Sequence, residues 1–139
     1  MQLNTFLNFG GNCKEAFTFY SEHLGAKIIM LMTHSQNPTQ PAAPGQQDAV
    51  MYARIEIGGT HLMASDVPAE HFQPMRSAYL SLTLSSPQEV ERIHNILADG
   101  GQVFMPLQET FYATRFSMLR DKFGTNWMLL HQRPTPPTA

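Results

Sequence analysis

Charge is scarce in this chain: only 14% of its 139 residues are Asp, Glu, Lys or Arg, against roughly 25% in an average soluble domain. Nine Lys and Arg against eleven Asp and Glu leave a net charge of -2. The basic residues are scattered singly along the chain, so no stripe exists that could track phosphates, and nucleic acid is excluded as a partner. Cysteine is nearly missing as well. Cys13 alone rules out an internal disulfide and a cysteine-rich zinc site. Apolar runs such as Ile28 to Met32 fall far short of the roughly 20 residues that cross a bilayer. Met1-Gln2-Leu3-Asn4 places no basic segment ahead of an apolar stretch, so the expectation is a cytoplasmic protein with no membrane partner. What the chain has in excess is soft apolar bulk: nine Met and nine Phe within an apolar share of 42%.

The chain is long enough for one real core. Leu3 to Phe9 alternates at period two, as a half-buried strand does, and Gly10-Gly11 breaks it. Asn12 with Glu15 three residues later fits a capping box. Cys13, Ala16, Phe17, Tyr20 and Leu24 then form the apolar stripe of a helix that Gly25 stops. Lys27 to Thr33 reads as a strand, and the stretch 34–48, with three prolines, as an exposed loop. Ala49 to Ile57 and Thr60 to Ser65 flank Gly58-Gly59 as a tight hairpin. The same order then recurs. Ala78 to Leu84 is a strand, and Ser86-Pro87 with Glu89 opens a second helix with Val90, Ile93 and Leu97 on its apolar side. Gly100-Gly101 stop that helix, Gln102 to Met105 starts a strand, and 113–120 and 125–131 flank the turn Asp121 to Gly124. Glu15 aligned on Glu89 gives an offset of 74, and Gly59 on Gly124 gives 65, so the second copy is nine residues shorter, which the proline loop accounts for. The expected fold is α+β: two tandem βαβββ units, 1–65 and 78–131, joined by a linker over 66–77 in one domain spanning 1–131, with a disordered tail over 132–139. Each unit alone is marginal, whereas two helix-backed sheets can shield each other and leave a concave cleft.

Several blocks of sequence are distinctive: Gly11-Asn12-Cys13-Lys14-Glu15-Ala16 with Phe19-Tyr20; Ile57-Gly58-Gly59-Thr60 with Leu62-Met63-Ala64-Ser65-Asp66; Met105-Pro106-Leu107-Gln108-Glu109-Thr110-Phe111; and Asp121, Phe123-Gly124 and Trp127-Met128. Together they resemble the PhnB-like branch, also labelled a 3-demethylubiquinone methyltransferase domain, of the vicinal-oxygen-chelate superfamily of glyoxalases, extradiol dioxygenases and bleomycin-binding proteins. The resemblance implies a glyoxalase-like paired-sheet fold and a homodimer. It also implies that Thr5, Met63, Tyr79 and Met128 occupy the positions where metal-dependent members keep four ligands. None of these suits a hard divalent ion, so the superfamily metal is expected to be absent and no cofactor is expected.

His61 shares the face of Met63 and is the histidine best placed as a ligand or acid/base group; a histidine at a strand edge is the plainer reading. His23, His34, His71, His94 and His131 read as solvated. In the block 108–115, Glu109, Tyr112 and Arg115 could set a carboxylate, a phenol and a guanidinium at a cleft mouth beside Phe111, with Arg115 pairing Glu109; a structural Glu–Arg pair is the competing reading. Trp127 reads as a packing anchor and Cys13 as an inert buried thiol. The candidate catalytic residues are thus Glu109 and His61, and the candidate ligand-binding residues Thr5, Met63, Tyr79, Glu109, Phe111, Tyr112, Arg115 and Met128. The expected function is binding of a partly apolar small molecule in a metal-free cleft. A metal-dependent glyoxalase- or dioxygenase-type enzyme with atypical ligands is the alternative, and whether any reaction is catalysed stays open. The methyltransferase label has weaker support, since no glycine-rich loop with a following acidic residue is seen.

Overall fold

The structure, a computed structural model, describes residues 1–134. It contains two compact units that divide between Gln73 and Pro74. The first runs β1 (Thr5–Phe9), α1 (Cys13–Leu24), β2 (Lys27–Thr33), β3 (Val50–Ile57) and β4 (Thr60–Asp66); the second runs β5 (Leu80–Thr83), α2 (Pro87–Ala98), β6 (Gln102–Gln108), β7 (Ala113–Arg120) and β8 (Asn126–Gln132). Each unit is one four-stranded sheet, ordered β1-β4-β3-β2 and β5-β8-β7-β6. Within each, the first and last strands pair parallel and the rest antiparallel. The fold is therefore α+β with two repeated βαβββ units. The proposed linker is shared out between them: Asp66 ends β4, Phe72 packs against Gly10, and Met75 to Ala78 bond into the second unit. Gln132 belongs to β8 and the Arg133 N–H donates to the Tyr112 carbonyl. Of the tail expected at 132–139, residues 135–139 lie outside the described residues.

In each unit the helix covers one face of its sheet. Phe9 meets Phe17 edge to face at 6.0 Å, and Leu7, Ala53, Ile55, Leu62 and Ala64 are buried on the same side. The start of α1 is capped from far away. The Asn12 side chain makes no cap bond, contrary to the capping box expected there. Instead Asp66 Oδ1 accepts from the Gly11 and Cys13 amides at 3.1 and 3.0 Å, and Oδ2 accepts from the Val50 amide at 2.9 Å. Cys13 is fully covered, and burial, with the Asp66 carboxylate nearby, pushes its thiol up to about 12. The second helix is capped locally, by Ser86 Oγ accepting from the Glu89 amide at 3.1 Å.

The second unit buries Trp127, Leu119, Leu129, Val90, Ile93 and Leu97. Trp127 Nε1 donates to Asp121 Oδ2 at 2.9 Å, and Asp121 Oδ1 accepts from the Phe123 and Thr125 amides, which closes the β7–β8 turn. His94 is a correction to the solvated reading: it is 8% exposed, with Nδ1 2.8 Å from the buried Ser117 Oγ. It continues the helical stripe of Val90, Ile93 and Leu97, so spacing held the clue. His131 is likewise engaged, its Nδ1 2.6 Å from Thr114 Oγ1. Gly58 and Gly59 both take positive φ, 57° and 80°, as a two-residue hairpin turn of the mirror-image type requires.

The strand registers carry one departure from the sequence alignment. Thr5 pairs with Leu62 and Leu80 with Trp127. The strands therefore repeat at an offset of 75, whereas the helices, starting at Cys13 and Pro87, repeat at 74. The strand-to-helix connection is one residue shorter in the second unit. Because side chains alternate, that single step exchanges the two faces. Asn4, not Thr5, is the counterpart of Tyr79.

Two expectations follow. Burial, and secondarily the Arg115 guanidinium, holds the His94 pKa below its ordinary 6.5; the unfolded chain therefore takes up the proton first. Its contribution to stability is complete above pH 6.5 and is lost as pH falls through the folded value. The midpoint of thermal unfolding should fall more between pH 8 and pH 5 in the natural chain than in His94→Gln. At Gly101 an added Cβ would lie 2.2 Å from the Arg120 carbonyl oxygen. Gly101→Ala should cost roughly 2–3 kcal/mol in urea unfolding through overpacking against backbone.

Candidate functional site

The face of each sheet opposite its helix carries the candidate side chains His61, Met63, Tyr79 and Met128. In the first unit, Thr5 shares the side of Leu7 and Phe9 and so does not belong to that face; the β1 residues that do are Phe6, beside Met63, and Asn8, beside Ser65. Across β4 and β3 the face continues through His61, Met63, Tyr52, Arg54 and Glu56. Its alternation is legible in Tyr52-Ala53-Arg54-Ile55-Glu56, where every second residue is polar. Arg54 was missed because a lone arginine in a strand carries no motif. Arg54 Nη2 donates to Met63 Sδ at 3.5 Å. Arg54 Nε and His61 Nδ1 are covered and have no hydrogen-bond partner among the described residues.

In the second unit Ser117 bonds to α2, so Phe116 and Met118, one residue to either side, lie on the opposite face. They are joined there by Leu130 and Met128 in one apolar cluster with Ala113. Tyr79 stands two residues before Ser81, which pairs with Met128, and precedes β5 directly. Its ring meets Phe104 edge to face at 6.3 Å, and the Arg120 guanidinium lies 5.3 Å from the centre of the Phe104 ring. Around these groups is a cavity of about 460 Å³ lined by Pro74, Arg76, Ser77, Tyr79, Phe104 and Arg120.

One edge of this cavity is held by a buried polar device. Asn126 is fully buried, accepts from Arg120 Nε at 2.9 Å, and donates through Nδ2 to the Arg76 and Ala78 carbonyls at 2.9 and 3.1 Å. Arg120 Nη2 donates to the Met75 carbonyl at 2.9 Å. The segment 75–78 is thus tied to the end of the sheet, which sets the approach of Tyr79. Of the cavity's lining, Tyr79 is the residue that the sequence offers as ligand-binding. Arg76, Phe104 and Arg120 are brought together by the β6–β7 register and by Asn126, none of which is a local pattern.

The block around Glu109 is arranged differently from the expected Glu109–Arg115 pair. Arg115 Nε donates to Glu91 of α2 at 3.0 Å, on the helix side, while Glu109 pairs with Arg133. Glu109 is 68% exposed at its side chain. Arg133 Nε also donates to the Thr110 carbonyl, and Thr110 Oγ1 accepts from the Tyr112 and Ala113 amides. The pair therefore braces a loop, in line with the structural reading. Phe111 and Tyr112 form an edge-to-face pair at 5.0 Å at the tip of that loop, with Phe111 91% exposed. Neither borders the cavity. Among the described residues no three His, Cys, Asp or Glu side chains converge as a metal-ligand set.

A model of the family described as 3-demethylubiquinone-9 3-methyltransferase matches residues 1–130. Protein YjdN of Escherichia coli K12 is 31% identical, over 97% of this chain and 99% of its own. Protein PA1353 from Pseudomonas aeruginosa is 38% identical over 96% of this chain and 99% of that one, with a TM-score of 0.87. A Bacillus cereus structure, described as a putative 3-demethylubiquinone-9 3-methyltransferase, PhnB protein, is 26% identical over 94% and 99%, at a TM-score of 0.81. A glyoxylase/bleomycin resistance protein/dioxygenase domain from Frankia, 15% identical over 97% and 93%, shares the fold at a TM-score of 0.68. With the two βαβββ sheets in place, the chain belongs to the 3-demethylubiquinone-9 3-methyltransferase family, the PhnB-like branch of the vicinal-oxygen-chelate superfamily.

Proposed function

We propose that this chain is a small-molecule binding protein whose ligand, partly apolar, seats against Tyr79 and Phe104 without a divalent metal. The cavity of about 460 Å³ carries this reading. It falls in the roughly 300–1,000 Å³ range of small-molecule sites, and its two edge-to-face rings, with the Arg120 guanidinium beside them, offer apolar contact within an open lining that is at least as polar as it is apolar.

The superfamily implies a metal, and the donor set argues against one. The thioethers of Met63 and Met128 are soft donors unsuited to the oxygen chemistry of Mg, Mn, Fe or Zn, the Tyr79 hydroxyl lacks the basicity to replace His or Glu, and Thr5 lies on the other side of its sheet. The carboxylate of Glu109 is already committed to Arg133. A nucleotide-like methyl donor finds no opening at Gly10-Gly11, because the Asp66 carboxylate takes the amides of that turn. A homodimer belongs to the proposal too: on edge strands β2 and β6, Ile28 to Met30 and Val103 to Met105 lie 37–45% exposed, the kind of apolar edge a second copy covers.

After washing with chelator, purified protein should retain far less than one equivalent of Zn, Mn, Ni or Fe by elemental analysis. Indole at about 100 times its dissociation constant should stabilise the chain by about 2.7 kcal/mol. Tyr79→Ala should weaken indole roughly tenfold by losing one ring contact, and Glu109→Gln should leave it within twofold. Metal retained at one equivalent, or indole affinity indifferent to Tyr79→Ala, would overturn the reading.

A further inference from the structure

The open face of the first unit holds a second, chemically different feature. Arg54 and Met63 are cross-strand partners, and Glu56 and His61 are the next pair on the same face. Arg54 and His61 are therefore diagonal neighbours, within reach of long side chains. Each keeps one covered polar nitrogen with no partner among the described residues, Arg54 Nε and His61 Nδ1. An unmade hydrogen bond of that kind is costly in a native structure and rare; two on adjacent residues of one face form a pattern. The Glu56 carboxylate, directly across from His61, forms no ion pair with either among the described residues. The guanidinium's hydrogen bond on this face goes to the sulfur of Met63, a weak acceptor.

We propose that this face binds a small organic oxyanion, a carboxylate or phosphonate borne on an apolar body, through Arg54 and His61. A guanidinium presents a planar fork that matches two oxygens of an oxyanion, and an imidazole nitrogen supplies one further donor. The Met63 thioether holds the place of the ligand's oxygen and swings aside when the anion arrives. Methionine is suited to that exchange, being unbranched and tolerant of several packings. The surrounding side chains dictate the rest of the ligand: Phe6 stands beside Met63, Met30 pairs with Arg54, and Tyr52 lies two residues along β3. An inorganic anion would leave these rings and thioethers uncovered. The inference rests on residues distinct from those lining the Tyr79 cavity, so either can fail without the other.

The test uses the full chain with benzoate, phenylphosphonate and their neutral analogue benzamide, followed by calorimetry and by thermal unfolding. At least one of the two anions is expected to bind and stabilise while benzamide does not, and comparing the two distinguishes carboxylate from phosphonate. Arg54→Met should weaken the preferred anion roughly 10–100-fold, as expected for a lost charge-assisted hydrogen bond. His61→Gln should weaken it several-fold, and both variants should keep the indole affinity of the natural chain. Because the ligand-free guanidinium is incompletely satisfied, Arg54→Met should also raise the unfolding temperature of the free protein, a readout that needs no ligand. Benzamide binding as tightly as the anions, anion affinity unchanged in both variants, or an unfolding temperature lowered by Arg54→Met would each overturn the proposal.

Discussion

The first unit is organised around a single carboxylate. Asp66, at the end of β4, gathers amides from the β1–α1 turn, the first residue of α1 and the start of β3, so three separate stretches of backbone meet at one pair of oxygens. Hydrogen bonds to a charged group contribute more than neutral ones, about 1.5–3 kcal/mol each. Here they also neutralise the unpaired amides that a helix start exposes. The parallel β1–β4 pair, the position of Phe9 on Phe17, and hence which residues face away from the helix, all depend on that junction. The second unit divides the same work between Ser86 at the helix start and Asp121 at the hairpin, the latter also holding Trp127.

On this frame the two open faces carry different chemistries. The second unit offers rings and a stacked guanidinium whose hydrogen bonds are already taken by Asn126 and the Met75 carbonyl. The first offers a guanidinium and an imidazole with bonds still to make, set among thioethers. Methionine serves both, packing the clusters around Met118 and Met128 and covering Arg54 through Met63. The low charge of the chain acquires a specific sense in this arrangement: few ionic groups are present, and Arg54 and Arg120 lie on sheet faces with no ion pair among the described residues, whereas Arg92, Arg115 and Arg133 are paired with glutamates.

The repeat, both helices and the Gly58-Gly59 hairpin were legible in the sequence because each rests on local rules: period-two alternation, helical stripes, and glycines where the turn needs positive φ. The cap of α1 was not, since it comes from Asp66, more than fifty residues away, and a local Asn12–Glu15 pattern offered a plausible substitute. The partners of Glu109 and Arg115 were misjudged for a related reason. Proximity in sequence suggested that they meet, whereas the β7–β8 register carries Arg115 to the helix side and Arg133 back to Glu109. Of the positions expected to face a ligand, Met63, Met128 and His61 lie on the sheet face away from the helix, as the alternation of β4 and β8 dictates, even though the hairpin loops differ, 58–59 in the first copy and 121–125 in the second. Thr5 does not, because the helices repeat at an offset one residue smaller than that of the strands before them. Pro106, which reads as a strand breaker, lies inside β6, an edge strand with shifted register where its missing amide is tolerated.

That one-residue difference between strand offset and helix offset reaches beyond numbering. The two units descend the same path from strand to helix, but their connectors are cut to different lengths, so the halves are not interchangeable cassettes. Grafting β5 in place of β1 onto α1 at matched helix positions would turn Leu80 and Leu82 away from the helix and Ser81 and Thr83 toward it. A recombined half would preserve its shape only if the junction travelled with the strand, which makes the short connector, rather than either secondary-structure element, the unit of inheritance that keeps each strand's apolar side against its own helix.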